Sequence, residues 1–202
     1  MKVIEQLLAS AGISPIAGVD EAGRGACAGP LVIASVVLHD PLAPELEVVR
    51  DSKEIPESKR DAVFELIQSI AASVSVVIVP AAEVDARGVH AANLDGMRRA
   101  VQGLDVEPAY VLTDGYAIEG LGVPNLAVWK GDQVVVSISA ASVIAKVTRD
   151  RIMREMDEEF PLYGFAGHKG YITAAHTKAL NEHGPCAQHR TSFANVAALI
   201  HK

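Results

Sequence analysis

The sequence predicts an α/β fold built on a mixed sheet. Three observations carry this expectation. Apolar, β-branched segments alternate along the chain with segments whose apolar residues recur at helical spacing. The first two strand-like segments are joined by a turn punctuated by Gly and Pro, too short for a crossover helix, so they pair antiparallel. Helical segments separate the second strand-like segment from the third and the third from the fourth. Half of the 202 residues are hydrophobic and only 4% are aromatic, so the core is aliphatic and large enough to form without disulfide or metal staples.

Taken in order, Val3 to Ala11 reads as a helix stopped by Gly12. Ile16 to Asp20 reads as a strand running into Gly23-Arg24-Gly25, and Leu31 to Leu38 as a buried strand after Gly29-Pro30. Pro56 suits the first turn of a helix that carries Val63, Phe64, Ile67 and Ile70 on one face. Ser73 to Val79 is a third strand and His90 to Leu104 a second amphipathic helix. Ala109 to Asp114 and Asn125 to Trp129 are two further strands. A long helix spans Ser139 to about Phe160, with Ile144, Val147, Ile152, Met153 and Met156 as core positions. Thr173 to His183, ended by Gly184-Pro185, and Ser192 to Ile200 are helices of the tail. The expected organisation is one structural unit, an α/β part over residues 1–160 and a helical extension over 161–202.

The longest apolar stretch, Leu31 to Leu38, is far short of the roughly 18 residues of a membrane span. Glu5 and Gln6 interrupt the early apolar run, so no signal-peptide core is read there. Cys27 and Cys186 form no CxxC pair, and a reduced, cytoplasmic setting is expected. A net charge of −7 speaks against a protein that coats nucleic acid by bulk electrostatics. An acidic metal site accounts for part of that charge, so a nucleic-acid enzyme stays open.

Four acids stand at strand ends and loop tips. Asp20 and Glu21 are adjacent at the end of an apolar strand, where neighbouring side chains point to opposite faces. Both aim at one site if the backbone bends there, which the following glycines allow. Asp114 ends another apolar strand, and Asp132 follows the next one in Lys130-Gly131-Asp132. Parallel neighbours ending at one sheet edge bring such acids together, and their repulsion is relieved by divalent cations. All-oxygen ligation suits Mg²⁺ or Mn²⁺ rather than zinc. Each Asp-Gly or Gly-Asp pair alone also reads as an ordinary turn former.

The loop from Gly23 to Ala28 fits a relaxed dinucleotide fingerprint, but a strand rather than a helix follows it, which excludes that reading. Its glycines instead let backbone N–H groups approach a substrate, with Arg24 as a charged donor. Lys53 lies in the Asp51-Ser52-Lys53 loop, and Lys146 and Arg149 sit one turn apart on the long helix. Arg149 belongs either to a phosphate-contacting face or to a solvated one. The small residues Ser139 to Ser142 permit close backbone packing or the approach of a phosphate. Lys169, Lys178 and Arg190 make a positive island in the tail, where Tyr171 is placed to stack on a sugar or base. His168, His176, His183 and His189 match no zinc spacing, and packing, capping or phosphate contact is the reading taken.

With these residues in view, the chain resembles the type 2 ribonucleases H of bacteria, the ribonuclease HII family. The resemblance runs from Ile16 to Ser192 in ordered blocks: GVDEAGRG with the following AGP, then DSK, TDGY, KGD, SAASVIAKVTRD and YGFAGHKGYITAAH. It implies a ribonuclease H-like five-stranded mixed sheet flanked by helices, with a C-terminal helical part. It places the family's four carboxylates on Asp20, Glu21, Asp114 and Asp132. The family's glycine-arginine-glycine loop falls on Gly23, Arg24 and Gly25, and its substrate-sensing tyrosine on Tyr171. The implied activity is two-metal hydrolysis, with Mg²⁺ or Mn²⁺, of the RNA strand of RNA–DNA hybrids and nicking 5′ of single ribonucleotides in duplex DNA, by a monomer. No motif is read between Asp40 and Ser52 or between Val79 and Val106.

Two other readings compete. An ATPase of the actin and sugar-kinase type also ends its first strand in an acid followed by glycines, but needs a second domain of similar size. A silent module that binds RNA–DNA hybrids has no use for four acids beside phosphates.

Overall fold

The computed structural model describes residues 3–200; the outermost residues of the two-part division, 1–2 and 201–202, lie outside the described residues. Helix α1 (Val3–Ser10) leads into β1 (Ile16–Ala22) and β2 (Leu31–Leu38). A 3₁₀ turn (Pro44–Val48), α2 (Glu57–Ile70), β3 (Ala71–Val79), α3 (Ala81–Arg87) and α4 (Val89–Gln102) follow. The second half holds β4 (Tyr110–Asp114), β5 (Asn125–Val128), α5 (Gly131–Val134), α6 (Val136–Glu159), α7 (Phe165–His168), α8 (Ala174–His183) and α9 (Ala194–Ile200). The predicted elements are present, with ends shifted by at most three residues and β2 matching at both ends. The 3₁₀ turn, α3, α5 and α7 carry too few periodic residues to be read from the sequence.

The sheet is mixed, in the order β3-β2-β1-β4-β5. β1 pairs antiparallel with β2, and β2 with β3, whereas β1 and β4, and β4 and β5, run parallel. β2 is buried at every residue, as a continuous β-branched run in a central strand requires. One face of the sheet packs on α6 and α2 through Val32, Ala34, Val36, Phe64, Ile67, Ala140 and Ile144. The other packs on α4 through Leu31, Ile33, Val37, Met97 and Ala100.

Helix α6 lies unusually close to β1. A Cβ on Gly18 would stand 2.1 Å from the Ser137 carbonyl carbon and 2.3 Å from Ile138 N, so the glycine in the strand lets the two backbones meet. This contact lies just ahead of the Ser139–Ser142 stretch, whose four residues are all buried. The helix begins at Val136, three residues before the predicted start, because its cap is remote. The buried Glu5 carboxylate accepts the backbone N–H groups of Val136 and Ser137 at 2.9 and 3.0 Å. A carboxylate there satisfies two orphan donors and the helix dipole together.

The segment from α7 onward packs back on α6 and on the loop between β1 and β2. Met153, Met156, Tyr163 and Phe165 form one cluster with Ala28, and Leu180 and Val196 form another with Cys27. Backbone bonds run from Cys27 N to Gly170 O at 3.0 Å and from Arg190 N to Cys27 O at 2.8 Å. Among the described residues no helix is long and apolar enough to cross a membrane.

Candidate active site

The parallel ladder of β1 and β4 ends at the Val19–Thr113 rung. Asp20 and Asp114 are each the next residue, so two carboxylates leave adjacent parallel strands at the same edge. Asp20 and Glu21 do not need the backbone bend expected from the sequence. β1 stays paired with β2 in unbroken register out to Ala22–Val32. Asp20 faces Ser142 of α6, Glu21 faces Asn93 of α4 and Arg24, and both feel the charge of Asp114. The β1–β4 ladder stops at Val19, and beyond it side chains from both faces of β1 come near Asp114.

Asp132 arrives by another route. Lys130 takes the left-handed conformation (φ 52°) and starts the one-turn α5, whose Gly131 N–H donates to Asp114 Oδ1 at 2.8 Å. That bond holds the buried Asp132 beside Asp114. Lys53 Nζ stands 3.5 Å from Asp132 Oδ2 and 3.9 Å from Asp51 Oδ1.

The acids are in electrostatic tension. Burial, then the charges of Glu21 and Asp114, push the Asp20 carboxyl well above the usual carboxylate range. Burial raises Glu21 to about 7, although Arg24, Asn93 and Lys53 pull the other way. Asp132 is raised by burial, Asp51 and Asp114, with Lys53 opposing. Burial works to lower the Lys53 ammonium, but Asp51, Asp132 and Asp20 outweigh it and raise it. Glu21 Oε2 is buried without a hydrogen-bond partner, as are Arg24 Nε and the Asn93 amide. Oxygen donors that repel one another, one of them orphaned, fit a hard divalent cation. Among the described residues no three acids, histidines or cysteines close into a ready cage. Such open carboxylate sets suit Mg²⁺, which is usually held by one or two carboxylates plus substrate phosphates.

The structure brings the predicted contact residues together. Gly23, Arg24, Gly25, Lys53, Lys146 and Tyr171 line one open groove with Asp20 and Glu21. Asp114 and Asp132 stand beside it. Tyr171 is 37% exposed, its ring 5.3 Å from the Arg149 guanidinium carbon and 5.9 Å from Lys146 Nζ. Lys146 is also tied to Asp150 by a 2.8 Å ion pair. Arg24 packs its guanidinium 4.7 Å from the centre of the Tyr116 ring.

Two expectations about basic residues are corrected. Arg149 is neither a phosphate contact nor part of a solvated face; it is fully buried and donates to Pro30 O, Lys169 O and Ala28 O at 2.9, 2.8 and 3.1 Å. The positive island dissolves in the same way. Arg190 is fully buried, donating to Gly29 O and Arg24 O, and Lys169 is buried as well, which leaves Lys178 on the surface. These two guanidiniums hold the glycine loop in place by its carbonyls. Gly23 makes room for one of them: φ is 88° and an added Cβ would lie 1.9 Å from Arg149 Nε. Asn93, Asp51 and Arg190 were missed as site residues. Asp51 was visible as part of a motif, whereas Asn93 lies in a stretch with no local signal.

An acid edge on the parallel strands of a sheet in this order defines a nuclease of the ribonuclease H fold. The solved ribonuclease H2 of Pyrococcus horikoshii matches with a TM-score of 0.79 at 25% identity, over 92% of this chain and 97% of that one. A family model described as ribonuclease HII matches residues 17–196. A ribonuclease HII of Acidothermus cellulolyticus is 57% identical over 95% of this chain and 62% of its own length. One from a Parafrankia species is 57% identical over 96% of this chain and 81% of its own. The chain belongs to the ribonuclease HII family, a family of endonucleolytic hydrolases.

Proposed function

We propose that the chain cleaves the RNA strand of RNA–DNA hybrids and nicks 5′ of single ribonucleotides in duplex DNA, leaving 5′-phosphate and 3′-hydroxyl ends. The observation that carries this reading is the placement of Asp20 and Asp114 one residue beyond the last β1–β4 rung, with Asp20 lining a groove shared with Gly23–Gly25 and Tyr171 and Asp114 near enough for its charge to act on Asp20 and Glu21.

Asp20, Glu21, Asp114 and Asp132 would hold two divalent cations, Mg²⁺ or Mn²⁺, which supply an activated water and neutralise charge on the phosphorus and the leaving 3′ oxygen. The chain's own residues do the rest. Gly131 N–H orients the Asp114 carboxylate, and Lys53 offsets the charge of Asp132 when no substrate is bound. The exposed Gly25 keeps the loop backbone bare toward the groove, and nothing lies within 4 Å of the Cβ it lacks. The 2′-hydroxyl is what marks a ribose in a duplex. Backbone amides of the loop, with the Tyr171 ring against the sugar, read that group. Lys146 contributes positive charge toward the phosphate backbone.

The test is a DNA duplex with one embedded ribonucleotide, incubated with Mg²⁺, with Mn²⁺ and with EDTA, alongside Asp114→Asn. The expected result is a metal-dependent nick 5′ of the ribonucleotide that the variant does not make. Hybrid binding that ignores EDTA, with no cleavage, would replace this reading with that of a silent binding module.

A further inference from the structure

We infer that His176 and His189 are positioning residues that set the Tyr171 ring over the groove through a directed chain of hydrogen bonds. The inference rests on the reading of Tyr171 as a substrate contact.

The chain leading to Tyr171 turns sharply. Lys169 and Gly170 both have positive φ, 51° and 77°, and a Cβ on Gly170 would stand 2.3 Å from Ala28 O. Backbone bonds hold the near side: Tyr171 N donates to His168 O at 3.0 Å, and Gly170 O accepts Cys27 N at 3.0 Å. The carbonyl of Tyr171 is held from the far side by a histidine. His176 Nδ1 lies 3.0 Å from Tyr171 O.

The direction of each bond follows from what a backbone group can do. Cys186 N, which only donates, points at His189 Nδ1 at 3.0 Å, so that nitrogen carries a lone pair and the proton sits on Nε2. His189 Nε2 is 3.0 Å from His176 Nε2, which therefore accepts. The His176 proton is left on Nδ1, where it donates to Tyr171 O. Both imidazoles are buried; burial first, then the charge of His168 on His176 and those of His176 and His168 on His189, keeps both below the usual range, so both are neutral at pH 7. His168, stacked 4.2 Å from His176, accepts Gly170 N on Nδ1 and donates from Nε2 to Tyr163 O. The nitrogens line up end to end and do not converge on a point, so the cluster is a relay and not a metal site.

Two measurements test this. In the ¹⁵N-histidine spectrum of the full chain at neutral pH, His176 is expected as the Nδ1–H tautomer and His189 as Nε2–H; the opposite assignment at His176 overturns the relay. The second is kcat/KM on a single-ribonucleotide duplex divided by that on a long hybrid. His176→Phe keeps a ring against His168 and removes the donor, and is expected to lower the ratio about tenfold. His176→Asn, whose side-chain N–H takes the place of Nδ1, is expected to restore most of it. Equal losses on both substrates, or no rescue by Asn, would reduce His176 to a packing role. If the unaltered protein cuts neither substrate, the nuclease reading fails, and the tautomers alone decide whether the relay stands.

Discussion

Asp114 Oδ1 accepts the backbone N–H of Gly131 at 2.8 Å, and this bond couples the end of β4 to the turn that carries Asp132. Asparagine keeps the accepting oxygen and removes the charge. Asp114→Asn is therefore expected to fold normally while cleavage falls at least about a hundredfold. Without metal its thermal midpoint should equal or exceed that of the parent, because one charge no longer repels Asp20, Glu21 and Asp132. Added Mg²⁺ should raise the parent's midpoint more than the variant's. Differential scanning fluorimetry beside a cleavage assay checks all three.

Two glycines of one loop should respond in opposite ways. Gly23→Ala places a Cβ against Arg149 at positive φ and displaces the guanidinium from three carbonyls, costing about 3 kcal/mol or more. At Gly25 a Cβ meets nothing, so Gly25→Ala should stay within about 0.5 kcal/mol of the parent in stability. It should nevertheless weaken hybrid binding, since the methyl group projects beside the groove. Urea titrations and binding isotherms of the two variants separate the effects.

Glu5 is the cap of a helix more than a hundred residues away. Glu5→Ala should destabilise the protein by about 2 kcal/mol, and Glu5→Gln by a similar amount, because its amide keeps one accepting oxygen but turns an NH2 donor toward the other backbone N–H. Equilibrium unfolding reads the difference.

Acid should loosen the histidine relay. Burial, then the charges of His176 and His168, lower His189 from 6.5 to about 4. The unfolded chain therefore binds the proton more readily than the folded one. The contribution of this histidine to stability falls as pH drops from about 6.5 to about 4, by at most roughly 1.4 kcal/mol per unit. Asp20, Glu21 and Asp132, all shifted upward, work in the opposite sense, so the comparison is with His189→Gln. The stability of the parent relative to that variant should fall between pH 6.5 and 4, as followed by thermal midpoints.

Local chemistry determined a good deal of this protein. Apolar, β-branched runs marked all five strands and period-3.6 patterns the principal helices, and the short turn at Gly29-Pro30 marked the antiparallel pair. Four acids at strand ends, a bare glycine loop and a tyrosine beside a helix start pointed to one site, since each of these signals resides in a few consecutive residues. The tertiary structure decided what depends on distant partners. Lys146 and Arg149, one turn apart on α6, look alike in sequence; packing left the first lining the groove and buried the second under the carbonyls of another loop. Asn93 became a neighbour of Glu21, and Glu5 a cap of α6, through contacts that no local pattern encodes. The tautomers of His176 and His189 follow from a backbone N–H and a carbonyl that only the fold brings to them. Periodicity and turn chemistry act within a few residues of chain, whereas burial and hydrogen-bond partnership are set by which surfaces the folded chain closes together.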